Sequence, residues 1–326
     1  MKTVEITKES GIPLMGNIAF GIIDRGSSLL QVRPISTCNL SCIFCSTDAG
    51  PNSSTHKTGY KIEPNYLIEE VNKIIELKQE DIHVNIDSVG EPASYPDLEY
   101  LIKELKKNKK VHFISMQSNG TYFTKDRIDR LEKAGLNRIH LSIHTTDPVQ
   151  AKILMGIDTY DLKKVLEVAE HISKSKIELL LAPVYLPNIN DKDLENIIIL
   201  SKKLNCKLGI QKYETYKHSR KPKRIKKQNY YKFYKQLEEW EKKHDVKLTY
   251  QKGELEIEKS SKVGTTIDIG EKINTPVLED GWFENQKIVA HNNRNITVKK
   301  CSANRGDKIN LRIIENKNNI YLAEKI

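Results

Sequence analysis

The chain has 326 residues and a formal net charge of +10, with 38% hydrophobic and 29% charged residues, a composition typical of a globular protein with a highly charged surface. No apolar run is long enough to span a bilayer, and the first ten residues lack the pattern of a signal peptide. These features exclude a membrane partner and predict a cytoplasmic protein. The positive charge favours a polyanionic partner such as nucleic acid, but a lysine-rich surface selected for solubility explains it equally well.

Apolar periodicity predicts alternating strands and helices from residue 28 to residue 211. The strands are predicted at 28–32, 83–89, 111–117, 138–143, 177–184 and 207–211. The helices between them are predicted at 64–78, 95–107, 124–134, 162–174 and 191–204, with Thr124 and Asn190 as N-caps. This alternation indicates an α/β fold with a parallel sheet, and six β/α units are too few for an eight-fold barrel. We therefore predict a partial (β/α)6 barrel of the TIM type, preceded by an irregular N-terminal extension, 1–28.

The pattern changes after residue 211. A strongly basic stretch is followed by an amphipathic helix at 229–244 and a polar linker at 251–262. Short alternating strands are then predicted at 265–269, 288–290, 308–314 and 319–323, which indicates a small all-β barrel of about the size of an oligonucleotide-binding fold. The predicted domains are the extension (1–28), an α/β core with the basic stretch and the helix (29–250), the linker (251–262) and the β-barrel (263–326).

Three of the five cysteines, Cys38, Cys42 and Cys45, have the spacing C-x3-C-x2-C directly after the first predicted strand. In a reducing cytoplasm such a cluster favours metal binding over disulfides. Thiolates select zinc or iron–sulfur clusters, but structural zinc normally takes four ligands and no fourth cysteine is nearby. Three thiolates on a four-iron cluster leave one iron open for catalysis. A chance cluster or a zinc loop is the alternative, but α/β active sites lie at the carboxyl ends of strands, as this motif does.

With Phe44 before its last cysteine, the motif resembles the signature of the radical S-adenosylmethionine (SAM) superfamily. The resemblance implies an enzyme with one [4Fe–4S] cluster on Cys38, Cys42 and Cys45, whose open iron binds SAM. It implies that an electron, supplied by a donor such as ferredoxin or flavodoxin, cleaves SAM to methionine and a 5′-deoxyadenosyl radical, which abstracts hydrogen from the substrate.

The resemblance extends to the ends of successive predicted strands. Gly90, Glu91 and Pro92 resemble the superfamily's "GGE" element, whose backbone contacts the SAM amino group, and glycine permits such a close approach. The resemblance assigns further SAM contacts to Phe44, Ser118, Asn119, Ser142, Pro183 and Val184. Each of these positions alone is equally well explained as an ordinary strand-to-loop turn.

Residues 212–227, here called the basic segment, carry eight lysines and arginines against one glutamate. The basic residues are Lys212, Lys217, Arg220, Lys221, Lys223, Arg224, Lys226 and Lys227. Basic side chains contact phosphates, and the interspersed Tyr213 and Tyr216 are of the kind that stack on unpaired bases. Because the segment follows the last strand at the active-site end, we favour RNA contact over a solvated loop.

The C-terminal residues 306–324 resemble the end of a TRAM domain, a small β-barrel found on tRNA-modifying enzymes. The whole chain, including the sequence IFCSTDAGP at the motif, is similar to an archaeal group of radical SAM/TRAM iron–sulfur oxidoreductases. This resemblance implies an enzyme that modifies structured RNA, tRNA above all. The alternatives are a radical SAM enzyme acting on a small metabolite or peptide, and a non-catalytic RNA-binding protein with a structural metal.

Overall fold

The computed structural model describes residues 2–223, 225, 227–251 and 253–326. Arg224 and Lys226, both assigned to RNA contact, lie outside these residues. Contacts divide the chain into two compact units, of which the first consists of Met1–Thr37, Ser54–Phe113 and Ile257–Ile326 and the second of Cys38–Ser53 and Ile114–Glu256. The domain boundaries at residues 28, 250 and 262 stay predictions.

Five strands and two helices form the α/β part of the first unit. They are β1 (Lys2–Ile6), β2 (Gly21–Asp24), β3 (Leu29–Arg33), β4 (Thr58–Ile62), β5 (Ile82–Ile86), α1 (Pro64–Leu77) and α2 (Leu98–Lys106). β1 pairs in parallel with β4, whereas β3 pairs antiparallel with β2 and parallel with β5. The prediction of an irregular 1–28 is therefore wrong. Strand β1 buries only Val4 and Ile6, and so short an alternation gives little signal in the sequence.

The second unit is built on a parallel sheet. Its strands and helices are β6 (Val111–Ser118, of which the first three residues belong to the first unit), α3 (Lys125–Ala134), β7 (Arg138–Leu141), α4 (Pro148–Met155), α5 (Leu162–Ser173), β8 (Glu178–Leu181), β9 (Val184–Tyr185), α6 (Asp191–Lys203), β10 (Lys207–Leu208), β11 (Gln211–Lys212) and α7 (Tyr230–His244). β6, β7, β8 and β10 pair in parallel in that order, and β9 pairs in parallel with β11. The predicted alternation of parallel strands with helices is confirmed within this unit.

The two predicted helix caps have different outcomes. Thr124 accepts a hydrogen bond from the backbone N–H of Arg127 at 3.2 Å, so it caps α3 as predicted. Asn190 lies at the first position before α6, but its side chain makes no capping hydrogen bond. Its amide instead donates to the carbonyl oxygens of Val184 (2.9 Å) and His144 (3.3 Å). The side chain therefore ties two loops of the second unit together rather than capping the helix.

The C-terminal part of the first unit is a closed five-stranded β-barrel. Its strands are β12 (Lys272–Asp280), β13 (Gln286–His291), β14 (Arg294–Lys299), β15 (Lys308–Glu315) and β16 (Tyr321–Lys325), in the order β12-β13-β14-β16-β15. All neighbours are antiparallel except β14 and β16. Cys301 is fully buried in the apolar core of this barrel. The predicted small β-barrel is confirmed, and its relation to TRAM domains stays a proposal.

The strand predicted at 265–269 does not form. Ile267 is buried in the barrel core and Ile269 is exposed, which produces the alternation seen in the sequence. The backbone around Ile267, however, is bonded by side chains instead of a neighbouring strand. The side chain of Asn316 donates to the carbonyl of Ile267, and the hydroxyl of Tyr321 accepts from the N–H of Thr266. The segment therefore contributes Ile267 to the barrel core without pairing with any strand of the barrel.

Residues 15–17 are bound to the barrel from within the same unit. The N–H of Asn295 donates to the carbonyl of Met15 at 2.7 Å, and the N–H of Tyr321 donates to the carbonyl of Gly16 at 3.0 Å. The side-chain amide of Asn17 donates to Asn295 Oδ1 and Thr297 Oγ1. β14 and β16 are thus bonded to a segment that lies almost at the other end of the chain.

Candidate active site at the cysteine loop

The cysteine loop, residues 38–53 of the second unit, carries the three half-buried cysteines of the motif. The backbone N–H of Leu40 donates to Cys38 Sγ at 3.4 Å, and that of Ala49 donates to Cys45 Sγ at 3.3 Å. Hydrogen bonds of this kind stabilise negative charge on sulfur, which a metal-bound thiolate carries. The loop backbone is therefore arranged to support thiolates.

Cys42 is influenced by both other cysteines of the motif. Burial raises the pKa of Cys42, charge on Cys38 or Cys45 raises it further, and the positive charge of Arg220 lowers it. Within the described part of the chain, no three His, Cys, Asp or Glu side chains are close enough together to bind a single metal ion. A four-iron cluster binds each cysteine through a different iron, so three cysteines on one loop suit such a cluster, whereas structural zinc normally takes four ligands.

Helix α4, which the sequence did not predict, supports the cysteine loop. Near its C-terminus the carbonyls of Met155 and Leu154 accept hydrogen bonds from the N–H groups of Ser41 and Ile43, each at 3.0 Å. Gly156 ends the helix in the left-handed conformation, with a φ of +65°, and a Cβ there would lie 2.2 Å from the carbonyl oxygen of Ser41. Only glycine allows the helix end and the loop to approach this closely.

Phe44 lies in an apolar cluster beside the cysteines. It is buried with Leu186 and Tyr213, and the half-buried Val184 packs against the same cluster. The ring of His144 lies 4.7 Å from that of Phe44, and His144 Nδ1 accepts a hydrogen bond from the N–H of Val184 at 2.9 Å. Burial lowers the pKa of His144 to about 3, so this imidazole is neutral and carries its proton on Nε2.

Four predicted SAM contacts lie where parallel strands of the second unit end. Ser118 of β6 is in register with the last residue of β7, which is in register with the last residue of β8. Asn119, Ser142 and Pro183 follow these strand ends. The side-chain amide of Asn119 donates to Asn39 Oδ1 in the cysteine loop at 3.1 Å. A side-chain hydrogen bond thereby joins this edge of the sheet to the cysteine loop.

Gly90, Glu91 and Pro92 lie in the first unit, beside the residue that precedes Cys38. A Cβ on Gly90 would lie 2.1 Å from the carbonyl oxygen of Thr37, and the N–H of Glu91 donates to that same oxygen at 2.8 Å. The Glu91 carboxylate is buried and accepts from the N–H of Ala93. Glycine at position 90 is therefore required by close approach to the chain leading into the cysteine motif.

The basic segment has an inward and an outward face. Lys212 is ion-paired with Glu214 and its Nζ lies 4.6 Å from the centre of the Tyr230 ring, with a side chain only 6% exposed. Tyr213 is buried, so it cannot stack on a base as expected. Among the residues of the segment that the structure describes, the outward face carries the exposed Lys217, Lys221, Lys223 and Lys227.

Arg220 also belongs to the inward face. Its Nε donates to Asp48 Oδ1 at 2.7 Å, and its Nη1 donates to the carbonyl of Cys42 at 3.2 Å. These groups lie in the cysteine loop, so the guanidinium donors that we assigned to RNA phosphates are engaged within the chain. Lys212 and Arg220 therefore do not fit the predicted phosphate contacts.

Comparison with protein families agrees with the geometry of the cysteine loop. The model of the radical SAM superfamily matches residues 32–200, just over half of the chain. The chain belongs to the radical SAM superfamily. It is a radical SAM enzyme, with a [4Fe–4S] cluster and SAM as cofactors, and it requires a reductant. The prediction of enzyme class is confirmed, and the alternative of a non-catalytic protein with a structural metal is wrong.

Similar proteins differ in how much of the chain they match. An uncharacterized protein of Methanocaldococcus jannaschii is 37% identical across the whole chain, which covers 81% of that protein. The GTP 3′,8-cyclase of Petrotoga mobilis is 30% identical over 54% of the chain and 53% of its own length. That of Aquifex aeolicus is 27% identical over 59% of each chain. This radical SAM chain thus spans little more than half the length of the cyclases that it matches.

Solved structures share the fold. Streptococcus suis SuiB bound to S-adenosylmethionine matches with a TM-score of 0.53 and 16% identity, over 68% of this chain and 49% of SuiB. SuiB bound to its precursor peptide SuiA gives a TM-score of 0.52 over 74% of this chain and 49% of SuiB. At this identity the likeness shows the radical SAM fold alone. Of the helices in the described residues, none has the length and apolar character to cross a membrane.

Three features of the site were missed or misread in the sequence. Asn39 lies inside the motif, but only its spatial neighbour Asn119 reveals its role. His144 directly follows the strand predicted at 138–143, which marks it as a candidate contact to the SAM ribose or carboxylate, but its bond to Val184 and its contact with Phe44 were missed. Arg220 carries no such signal, because in the sequence it is one basic residue among eight. Its partner Asp48 is 172 positions away.

Proposed function

We propose that this radical SAM enzyme holds its cluster on Cys38, Cys42 and Cys45 and modifies structured RNA, with tRNA as the preferred substrate. The observation that carries the RNA assignment is the attachment of the basic segment to the cysteine loop. Ser219 Oγ donates to the carbonyl of Ser46 at 2.8 Å, and the N–H of Arg220 donates to the carbonyl of Cys45 at 2.9 Å. The exposed Lys217 and Lys221 flank these two bonded residues in the sequence, and we propose that they attract phosphates towards the cysteine loop.

The chain's own residues would position the cofactors. When bound, the reduced cluster supplies the electron that cleaves SAM to a carbon radical. The backbone of Gly90–Pro92 and the strand-end residues Ser118, Asn119, Ser142, Pro183 and Val184 are proposed to orient SAM, with Phe44 beside it. His144 holds Val184 and Phe44 in place as a neutral group, and so adds no charge to an apolar wall.

Two further elements of the proposal concern architecture. The six predicted β/α units are proposed to form a partial (β/α)6 barrel. The closed five-stranded barrel of the first unit is proposed to be a TRAM domain that adds RNA affinity. A ferredoxin or flavodoxin is proposed as the electron donor, in the cytoplasm.

The test is production of 5′-deoxyadenosine from SAM by the dithionite-reduced holoenzyme. It is measured alone, with bulk tRNA and with GTP, and the triple Cys→Ala variant of the motif gives the background. We expect tRNA to increase product formation above the protein-alone rate and mass spectrometry to detect a changed nucleoside in the recovered tRNA. Equal rates with and without tRNA, and an unchanged nucleoside profile, would refute the RNA assignment and leave the cluster assignment standing.

A second candidate is a small nucleotide substrate. It is favoured by the similarity over about half the chain to enzymes named GTP 3′,8-cyclases. The same assay separates the two, because a nucleotide enzyme is stimulated by GTP in the absence of RNA. A peptide substrate is the other alternative from the sequence. Its support is limited to the fold that this chain shares with SuiB.

A further inference from the structure

Arg220 makes a dense set of contacts with the cysteine loop. Beyond the bonds from Nε to Asp48 and from Nη1 to Cys42, its Nη2 donates to the carbonyl of Ala49 at 2.7 Å and lies 3.4 Å from that of Asp48. Its backbone N–H donates to the carbonyl of Cys45. One residue of the basic segment is thus hydrogen-bonded to four residues of the loop, namely Cys42, Cys45, Asp48 and Ala49.

Neighbouring residues fix Arg220 in this position. The hydroxyl of Tyr213, itself buried against Phe44, donates to the carbonyl of Arg220 at 3.0 Å. Ser219 Oγ donates to the carbonyl of Ser46 on the same loop. The guanidinium side chain is only 16% exposed and that of its partner Asp48 only 6%. The arrangement is therefore a built, largely desolvated ion pair and not a surface contact.

We propose that Arg220 is a positioning residue that locks the cysteine loop in its cluster-binding shape and tunes the charge next to the cluster. The inference rests on the proposed assignment of the cluster to the three cysteines. The carbonyls of Cys42 and Ala49 point at one guanidinium, and a planar group with several fixed donors satisfies them together with the Asp48 carboxylate. A lysine at this position has one compact ammonium group and cannot reach all four acceptors.

The effect of Arg220 on the reduction potential of the cluster follows from the same geometry. Reduction adds an electron to the cluster, so a nearby cation favours the reduced state and a nearby anion opposes it. Arg220 and Asp48 balance each other as a pair. Removal of Arg220 alone leaves the buried Asp48 carboxylate beside the loop without its cation, and removal of the Asp48 charge alone leaves the cation. The two single variants therefore shift the reduction potential in opposite directions, and the double variant shifts it little.

The experiment uses the full chain with Arg220→Gln, Arg220→Lys, Asp48→Asn and the double variant Arg220→Gln/Asp48→Asn. Lys221→Gln is the matched control, because it removes one positive charge from the adjacent, exposed position. Asp48 has a positive φ of 57°, a conformation that asparagine tolerates well, so its substitution adds no backbone strain.

The first readout, hydrogen–deuterium exchange of the amides in residues 42–50, is measured on the apoprotein and needs no cluster. We expect exchange to be about tenfold faster in Arg220→Gln and in the double variant, because both lose the charged donors at position 220. Exchange should be intermediate in Arg220→Lys, which keeps one charged ammonium group, and unchanged in Lys221→Gln. Equal exchange in Arg220→Gln and the wild-type chain would refute the proposal that Arg220 holds the cysteine loop in place.

The second readout is the midpoint potential of the reconstituted cluster, followed by electron paramagnetic resonance. We expect a fall for Arg220→Gln and a rise for Asp48→Asn, each of about tenfold in the one-electron equilibrium, or about 59 mV. Equal potentials in both single variants and the wild type would overturn the charge role. If the wild-type chain binds no cluster on the three cysteines, the proposed function fails instead, and the exchange measurement still decides whether Arg220 locks the loop.

Discussion

The division of the basic segment into two faces makes a quantitative prediction about RNA binding. Lys217, Lys221 and Lys223 are exposed, whereas Lys212 is ion-paired and almost covered. Replacement of the three exposed lysines by Gln should remove three phosphate contacts, each of which contributes about 0.7 to 0.9 units to the slope of log affinity against log salt. The slope should become shallower by about two to three units. Between about 50 and 200 mM salt, the wild-type chain should then lose about 20- to 40-fold more affinity than the variant.

The assay is tRNA affinity by fluorescence anisotropy at four or more salt concentrations. The triple variant Lys103→Gln/Lys107→Gln/Lys109→Gln is the charge control, because it removes three exposed positive charges from the end of α2. Lys212→Gln tests the inward face and should leave the salt slope unchanged. If the control flattens the slope as much as the segment variant, RNA binding follows net charge alone and the argument from the exposed face is wrong.

Three further predictions concern the cofactor site and stability. Replacing the three motif cysteines by Ala should abolish binding of about four irons per chain, while Cys206→Ala and Cys301→Ala should leave it intact. Iron and sulfide analysis measures this, and iron retained by the triple variant would contradict the assignment of the cluster to these cysteines. Gly90→Ala should weaken SAM binding at least tenfold, measured by calorimetry on the holoprotein, because its Cβ would overlap the carbonyl of the residue before Cys38; unchanged affinity would show that the close approach is not needed. Burial lowers the pKa of His144 to about 3 in the folded chain, so its contribution to stability is present above pH 6.5 and is lost as the pH falls towards 3, by about 5 kcal/mol at most. In His144→Gln the free energy of unfolding should depend less on pH across this range, and an identical dependence would contradict the buried neutral imidazole.

The cysteine motif and the strand order were predictable because their signals are local. Three cysteines in eight positions, a strand before them and a glycine at the next strand end are all read within short windows. Thr124 is a similar case, since a cap acts on residues that follow it directly. Features that depend on neighbouring residues in the sequence can therefore be predicted without knowledge of the fold.

Features decided by distant residues were not predictable. The role of Arg220 depends on Asp48, and the burial of Ile267 without a strand depends on Asn316 and Tyr321. The sequence shows a uniform basic run in the first case and a regular alternation in the second. Neither pattern records which partner satisfies the backbone or balances the charge, because that depends on tertiary contacts.

The bonds between residues 15–17 and the barrel have a consequence for how the protein is made. During translation, Gly16 and Asn17 leave the ribosome when Asn295 and Tyr321, their partners, have yet to be synthesised. The first compact unit therefore cannot be completed on the nascent chain until the last strands emerge, and its early strands wait without their final neighbours. We expect chaperone contact with the N-terminal third of the nascent chain to last until β14 and β16 have left the ribosome. Formation of the barrel is thus the step that completes the first unit.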